Sequence, residues 1–104
     1  MKAVVENNAL QTILLNQAPN YEEVIRTIRR NDGSRCRSKY TAYHAFFVVL
    51  REEAKVLLNE NNPEILRNAA TLMWKMVPRL IKEDYVSCAR VINANIPTRK
   101  FGRK

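Results

Sequence analysis

The chain is poor in the residues that build most catalytic and metal sites. Its 104 residues include two glycines, two cysteines and one histidine. It contains no phosphate-binding loop of the form G-x-x-x-x-G-K-[ST] or G-x-G-x-x-G. Cys36 and Cys88 are far apart, and His44 has no cysteine or carboxylate at a spacing typical of a zinc site or a nucleophile–base pair. We therefore expect no enzyme activity, no cofactor and no metal ion.

Long apolar runs are also missing from the sequence. None approaches the ~20 residues that a membrane-spanning helix needs. The chain is 46% hydrophobic and 27% charged, which is typical of a globular domain with one modest core. The two separated cysteines indicate free thiols in a reducing compartment. We expect neither a membrane nor a small-molecule substrate as a partner.

Positive charge is abundant, and two segments hold its excess. The formal net charge is +8. Residues 26–39 contain six basic side chains and one acidic side chain, and residues 99–104 contain four basic side chains and no acidic one. Basic segments of this kind usually contact a polyanion, most often a nucleic acid. The alternative is a solvated helix end and a tail that only improves solubility.

The spacing of apolar residues predicts helices in the first third of the chain. One is expected over 3–15 and a second over 21–30. The sequence Asn-Asp-Gly-Ser at 31–34 predicts a turn or linker. We place the boundary of the main folding unit here, so that 1–33 forms a helical extension with a basic end.

Three further helices are predicted after this boundary. The pattern from Ala42 to Leu58 fits a long helix; residues 46–50 also fit a strand, but the helix-forming REEAKVLLNE that comes next favours one continuous helix. Asn-Pro-Glu at 62–64 is a good helix start, with Asn as N-cap and Pro in the first turn. Pro78 lies between the last two helices, and Pro97 ends the final helix before the basic tail. The expected fold is all-α.

Four segments of this main unit match the pattern of a known family. They are TAYHAF at 41–46, NPE at 62–64, LMWKM at 72–76, and Lys82, Tyr85 and Ala89 in the last helix. From about Arg37 to Arg90, without gaps, this set resembles the HMG box, a three-helix, L-shaped DNA-binding fold. The basic stretch and the short N-terminal helices are similar to fungal mating-type HMG proteins. The resemblance implies a box over 34–96 and a basic tail over 97–104.

The resemblance also implies roles for individual residues. Those implied to form the core at the junction of the L are Tyr43, Phe46, Trp74 and Tyr85, with the stem of Lys82 packed on Trp74. Those implied to contact DNA are Arg35, Arg37, Lys39, Thr41, His44, Phe47, Arg51, Arg67, Arg99, Lys100, Arg103 and Lys104. HMG boxes insert an apolar wedge into the minor groove and bend the duplex.

Two positions depart from the family pattern. The wedge position carries His44, and Phe47, one turn later, is the alternative wedge. Thr41 replaces the asparagine that contacts bases in sequence-reading boxes, which reduces the expected sequence specificity.

The function expected from this resemblance is a nuclear DNA-binding protein that bends duplex DNA and regulates transcription. The alternatives are an HMG-like protein-interaction module with weak or no sequence-specific DNA binding, and a helical RNA-binding protein. Residues 1–33, with apolar side chains such as Val5 and Leu10, are a candidate surface for a protein partner.

Overall fold

The computed structural model describes residues 2–32 and 39–95, and these residues form six α-helices and no strand. The all-α class expected from the sequence is confirmed. In chain order the helices are α1 (Lys2–Val5), α2 (Asn8–Leu15), α3 (Tyr21–Asp32), α4 (Ala42–Leu58), α5 (Pro63–Trp74) and α6 (Arg79–Asn95). No helix in the described part of the chain is both long enough and apolar enough to cross a membrane.

Local capping signals set the ends of α4 and α5. The Thr41 side chain accepts a hydrogen bond from the His44 backbone N–H at 3.2 Å and begins α4. Asn59 ends α4 in the left-handed conformation, with φ of 53°. The Asn62 side chain accepts hydrogen bonds from the backbone N–H groups of the first turn of α5, where Pro63 takes the first helical position. Helix α4 therefore has the predicted bounds, and residues 46–50 lie inside it.

The N-terminal third differs in detail from the prediction. The helix expected over 3–15 is two helices, because Asn7 adopts an extended conformation and its side chain caps α2 by accepting from the Leu10 N–H at 2.8 Å. Helix α3 continues to Asp32. Asn31 and Asp32, predicted to lie in a turn, therefore form the end of a helix.

One hydrophobic core joins all six helices. Helix α4 lies at its centre and packs against α2, α3, α5 and α6, while α1 packs on α5. Val4, Leu10, Leu14 and Ile28 of the N-terminal helices are at most 1% exposed and belong to the same buried cluster as Phe46. The buried apolar side chains of α1 to α3 thus belong to the same core as those of α4, α5 and α6.

Candidate nucleic-acid interface

An aromatic cluster fixes the positions of α4, α5 and α6. The Phe46 ring centroid lies 5.0 Å from that of Trp74 and 5.4 Å from that of Tyr85, and Trp74 and Tyr85 are 6.0 Å apart. The Tyr43 ring lies 6.2 Å from Trp74. These separations are those of favourable ring pairs. The four rings that the resemblance places at the junction of the L therefore lie together, and each contacts at least one other.

Lys82 lies over the indole of this cluster. Its Nζ is 5.2 Å from the Trp74 ring centroid, so the ammonium makes a cation–π contact in addition to any packing of its stem. Phe46 and Tyr85 are fully buried, whereas Trp74 and Tyr43 are only partly buried. The cluster is thus closed towards the centre of the protein and open on the side of Tyr43.

The open side continues along α4. Tyr43, Phe47 and Arg51 are four residues apart and so share one face of the helix. Phe47 is partly buried, and the Arg51 guanidinium carbon lies 5.7 Å from its ring centroid. His44 is exposed beside this face, with its ring 5.1 Å from that of Tyr40. This face of α4 carries two rings and a cation.

Helix α5 adds a second cation to the same face. The Tyr43 and Thr71 hydroxyls are 3.3 Å apart, which places Thr71 beside the start of α4. The Thr71 hydroxyl donates to the Arg67 carbonyl at 3.1 Å, one turn earlier on the same face of α5. Arg67 is exposed and forms no ion pair with a described residue. The α4–α5 face, defined here by Tyr43, Phe47, Arg51, Arg67 and Thr71, can therefore offer guanidinium groups beside an aromatic surface.

Thr41 is exposed at the edge of this face, but part of its hydrogen-bonding capacity is already used. Its hydroxyl oxygen accepts the capping bond from the His44 N–H. The hydroxyl proton and one lone pair remain available. A threonine here can contact a base edge only with that remaining capacity.

The end of α3 and the segment before α4 both contact the end of α6. The Asn93 side chain accepts from the Tyr40 N–H at 2.8 Å and donates to the Tyr40 carbonyl at 2.9 Å. Arg29 Nη2 donates to the Asn95 carbonyl at 3.1 Å. These bonds bring the end of α3, the segment before α4 and the end of α6 together, with Lys39 exposed beside them.

This junction is where both basic segments of the sequence are attached. The segment 26–39 includes the last turns of α3 and leads to Lys39, and the segment 99–104 comes a few residues after α6. Six of the predicted DNA-contacting residues, namely Arg35, Arg37, Arg99, Lys100, Arg103 and Lys104, lie outside the described residues. Their points of attachment, however, lie at one end of the protein.

Four acidic residues lie in the first turn of α3 and the first half of α6. The Tyr21 hydroxyl donates to the Asp84 carbonyl at 3.2 Å, which brings the first turn of α3 beside the first half of α6. Glu22 and Glu23 lie in this first turn of α3, and Glu83 and Asp84 lie in that half of α6. Arg29 and Arg30 lie in the last turn of α3, where Arg30 pairs with Glu52.

No signal in the sequence identified the residues that form the junction. Tyr40 and Asn93 are 53 residues apart, and Arg29 and Asn95 are 66 apart. An asparagine near the end of a helix gives no local signal that its side chain will bind the backbone of a distant segment.

Within the described residues, no group of three or more His, Cys, Asp or Glu side chains could hold a metal ion.

Comparisons of the chain with protein-family models, with curated proteins and with solved structures found no match.

Proposed function

We propose that this protein binds duplex DNA through the minor groove and bends it, as a nuclear regulator of transcription. One observation carries the proposal: both basic segments are attached at the junction of α3, α4 and α6, where the Tyr40 ring lies 5.1 Å from that of His44 beside the α4–α5 face. The points where the basic segments are attached and the surface suited to insertion therefore lie close together.

The charge distribution supports binding to a polyanion. Contacts between basic side chains and phosphates supply most non-specific affinity for DNA. The acidic side chains near the start of α3 would be repelled by DNA, and they lie at the other end of that helix from the junction. This asymmetry would orient the protein as it approaches a duplex.

The α4–α5 face supports insertion and bending. A minor-groove wedge is an apolar side chain that enters between base pairs, and the cost of unstacking is offset by the additional contact area. Phe47 supplies an apolar ring supported by the core, and His44 supplies a more exposed ring one turn earlier. Either position would place the wedge between Arg51 and the junction.

The packing of α4, α5 and α6 supports an HMG-like arrangement of these three helices. The aromatic cluster links all three, and the extended segment at Tyr40 is held against the last turns of α6. In this proposal, α1, α2 and α3 are additions to these three helices: α1 packs on α5, α2 on α4, and α3 on both α4 and α6.

A fluorescence-anisotropy titration of a labelled duplex tests the proposal. If five basic side chains contact phosphates, the logarithm of the association constant should fall against the logarithm of salt concentration with a slope of about −4.5. Arg67→Gln should weaken binding and make the slope shallower by about 1. Arg79→Gln removes an exposed arginine that is paired with Glu83 at the start of α6, so it is the matched control and should change neither quantity. An affinity that does not depend on salt, or an equal effect of the two substitutions, would contradict the proposal.

A protein-interaction module is the second candidate. Leu72 lies on α5, Met76 lies in the turn that follows it, Leu80 lies in the first turn of α6, and all three are exposed. If no duplex binds, and the chain self-associates in sedimentation experiments in a manner that Leu80→Ser abolishes, this candidate replaces the first.

A further inference from the structure

A cavity of about 370 Å³ lies on the α2–α3 side of α4, among Ile13, Val24, Val48 and Val49. Its volume is in the range of small-molecule sites. The connection between α2 and α3 forms one side of it, and the second half of α4 forms another. The cavity plays no part in the proposed contacts with DNA.

Tyr85 contributes to the wall of this cavity from α6. The residue is fully buried, and its hydroxyl has no hydrogen-bond partner among the described residues. A buried hydroxyl without a partner is unfavourable, and native proteins seldom contain one. Burial raises the pKa of Tyr85, and Cys88 and Glu53 raise it further, so the hydroxyl stays protonated and is exposed to the field of the Glu53 carboxylate.

Glu53 is the carboxylate of this cavity that lacks a cation. Of the other two, Glu23 is paired with Arg26 at 2.7 Å and Glu52 with Arg30 at 3.0 Å. Glu53 is partly buried and forms no ion pair or hydrogen bond with a described residue. The wall of the cavity is mixed: it combines aliphatic and polar side chains with three carboxylates and the Arg30 guanidinium, and Arg30 is already paired with Glu52. Glu53 is thus the unpaired carboxylate of the wall, and its charge is not balanced by a cation.

We propose that this cavity binds a primary alkylammonium group. The ammonium would donate one hydrogen bond to the Glu53 carboxylate, while a short methylene chain would pack against Val24 and Val49. A movement of the cavity wall would let it donate another to the Tyr85 hydroxyl oxygen, which is inaccessible to water in this structure. An anion would be repelled by Glu53, and a neutral alcohol would leave the carboxylate without a counter-charge. The ammonium could belong to a free amine or to a lysine side chain of another protein.

A titration of the isotopically labelled full chain, followed by amide chemical shifts, tests this proposal. With n-butylammonium chloride at constant ionic strength, we expect saturable shifts centred on Val24, Val49 and Glu53, with a dissociation constant of about 1–10 mM. The neutral isostere n-butanol should produce weaker shifts at the same concentrations. If n-butylammonium produces no saturable shift up to about 50 mM, or n-butanol binds equally well, the proposal is overturned.

Two substitutions assign the binding to the named groups. Glu53→Gln should weaken n-butylammonium binding by about tenfold or more, because it removes the counter-charge. Glu22→Gln makes the same charge change on α3 outside the cavity and should leave binding unchanged. Tyr85→Phe keeps the ring and removes only the hydroxyl. The amide spectrum of this variant should remain that of a folded protein, while its binding of n-butylammonium weakens. Unchanged binding in either Glu53→Gln or Tyr85→Phe overturns the proposal.

A second titration, with Nα-acetyl-lysine methylamide, distinguishes the two sources of the ammonium. Binding at least as tight as that of n-butylammonium indicates a lysine side chain of a partner protein. Binding of n-butylammonium alone indicates a free amine. Because none of these measurements uses DNA, their failure is separate from any failure of the proposed function.

Discussion

Phe46→Ala should remove a large part of the stability of this protein. Phe46 is 0% exposed and lies at the centre of the aromatic cluster, with its ring centroid 5.0 Å from Trp74 and 5.4 Å from Tyr85. Emptying a buried phenylalanine site costs about 3–5 kcal/mol. Each ring pair is worth about 0.5–1.5 kcal/mol beyond burial, which places the expected loss at the upper end of that range. Since domains of this size have about 5–15 kcal/mol of stability, the variant should lose between about a third and nearly all of it.

Urea unfolding followed by far-ultraviolet circular dichroism measures this loss. Tryptophan fluorescence is unsuitable because Trp74 contacts the substituted ring. Val56→Ala is the matched control: Val56 lies on the same helix but is 76% exposed, so its truncation should change stability by no more than about 0.5 kcal/mol. A loss below about 1.5 kcal/mol for Phe46→Ala, or equal losses for both variants, would show that the core is not centred on Phe46.

The remaining predictions concern stability, and urea unfolding measures each of them. Trp74→Ala removes a larger ring than Phe46→Ala but should cost less, about 2–3 kcal/mol, because part of the indole is already exposed; an equal or larger loss would contradict this. Burial raises the pKa of the Cys88 thiol from 9.0 to about 11, so its contribution is fully present below pH 9 and is lost as pH rises to about 11. That loss should amount to roughly 2–3 kcal/mol. Cys88→Ala should make the fall in stability shallower in this window, where the raised pKa of Tyr85 also contributes, and an unchanged slope would refute the assignment. Asn59 has φ of 53°, in the left-handed region that alanine disfavours and glycine tolerates. Asn59→Ala should therefore lower the free energy of unfolding by about 1 kcal/mol and Asn59→Gly by almost nothing. Equal losses would show that the effect does not come from this backbone conformation.

Local signals in the sequence predicted much of the helical structure. Asn62 and Pro63 form a helix start that depends only on neighbouring residues, and α5 begins there. The apolar stripe and helix-forming residues of α4 likewise outweighed the strand-like residues 46–50. The apolar spacing continues across Asn7 and hides its role as a cap. The sequence therefore predicts one helix where the structure has α1 and α2.

Contacts between distant residues could not be predicted from the same signals. The aromatic cluster was expected only because the spacing of its residues resembles a known family. The two hydrogen bonds between Asn93 and Tyr40 and the one from Arg29 to Asn95 depend on how whole helices pack, which no local pattern specifies. The same holds for the cavity beside Tyr85, which exists because α2, α3, α4 and α6 meet there.

The bend angle of a bound duplex tests the central claim most directly. Energy transfer between dyes at the two ends of a short duplex, measured with the full chain at saturation and at low salt, reports the change in end-to-end distance. We expect a kink of about 20–90° towards the major groove. We also expect either His44→Ala or Phe47→Ala to reduce the bend more than the affinity, which identifies the wedge. A duplex that is bound but straight, or one that does not bind even at low salt, would contradict the proposed function.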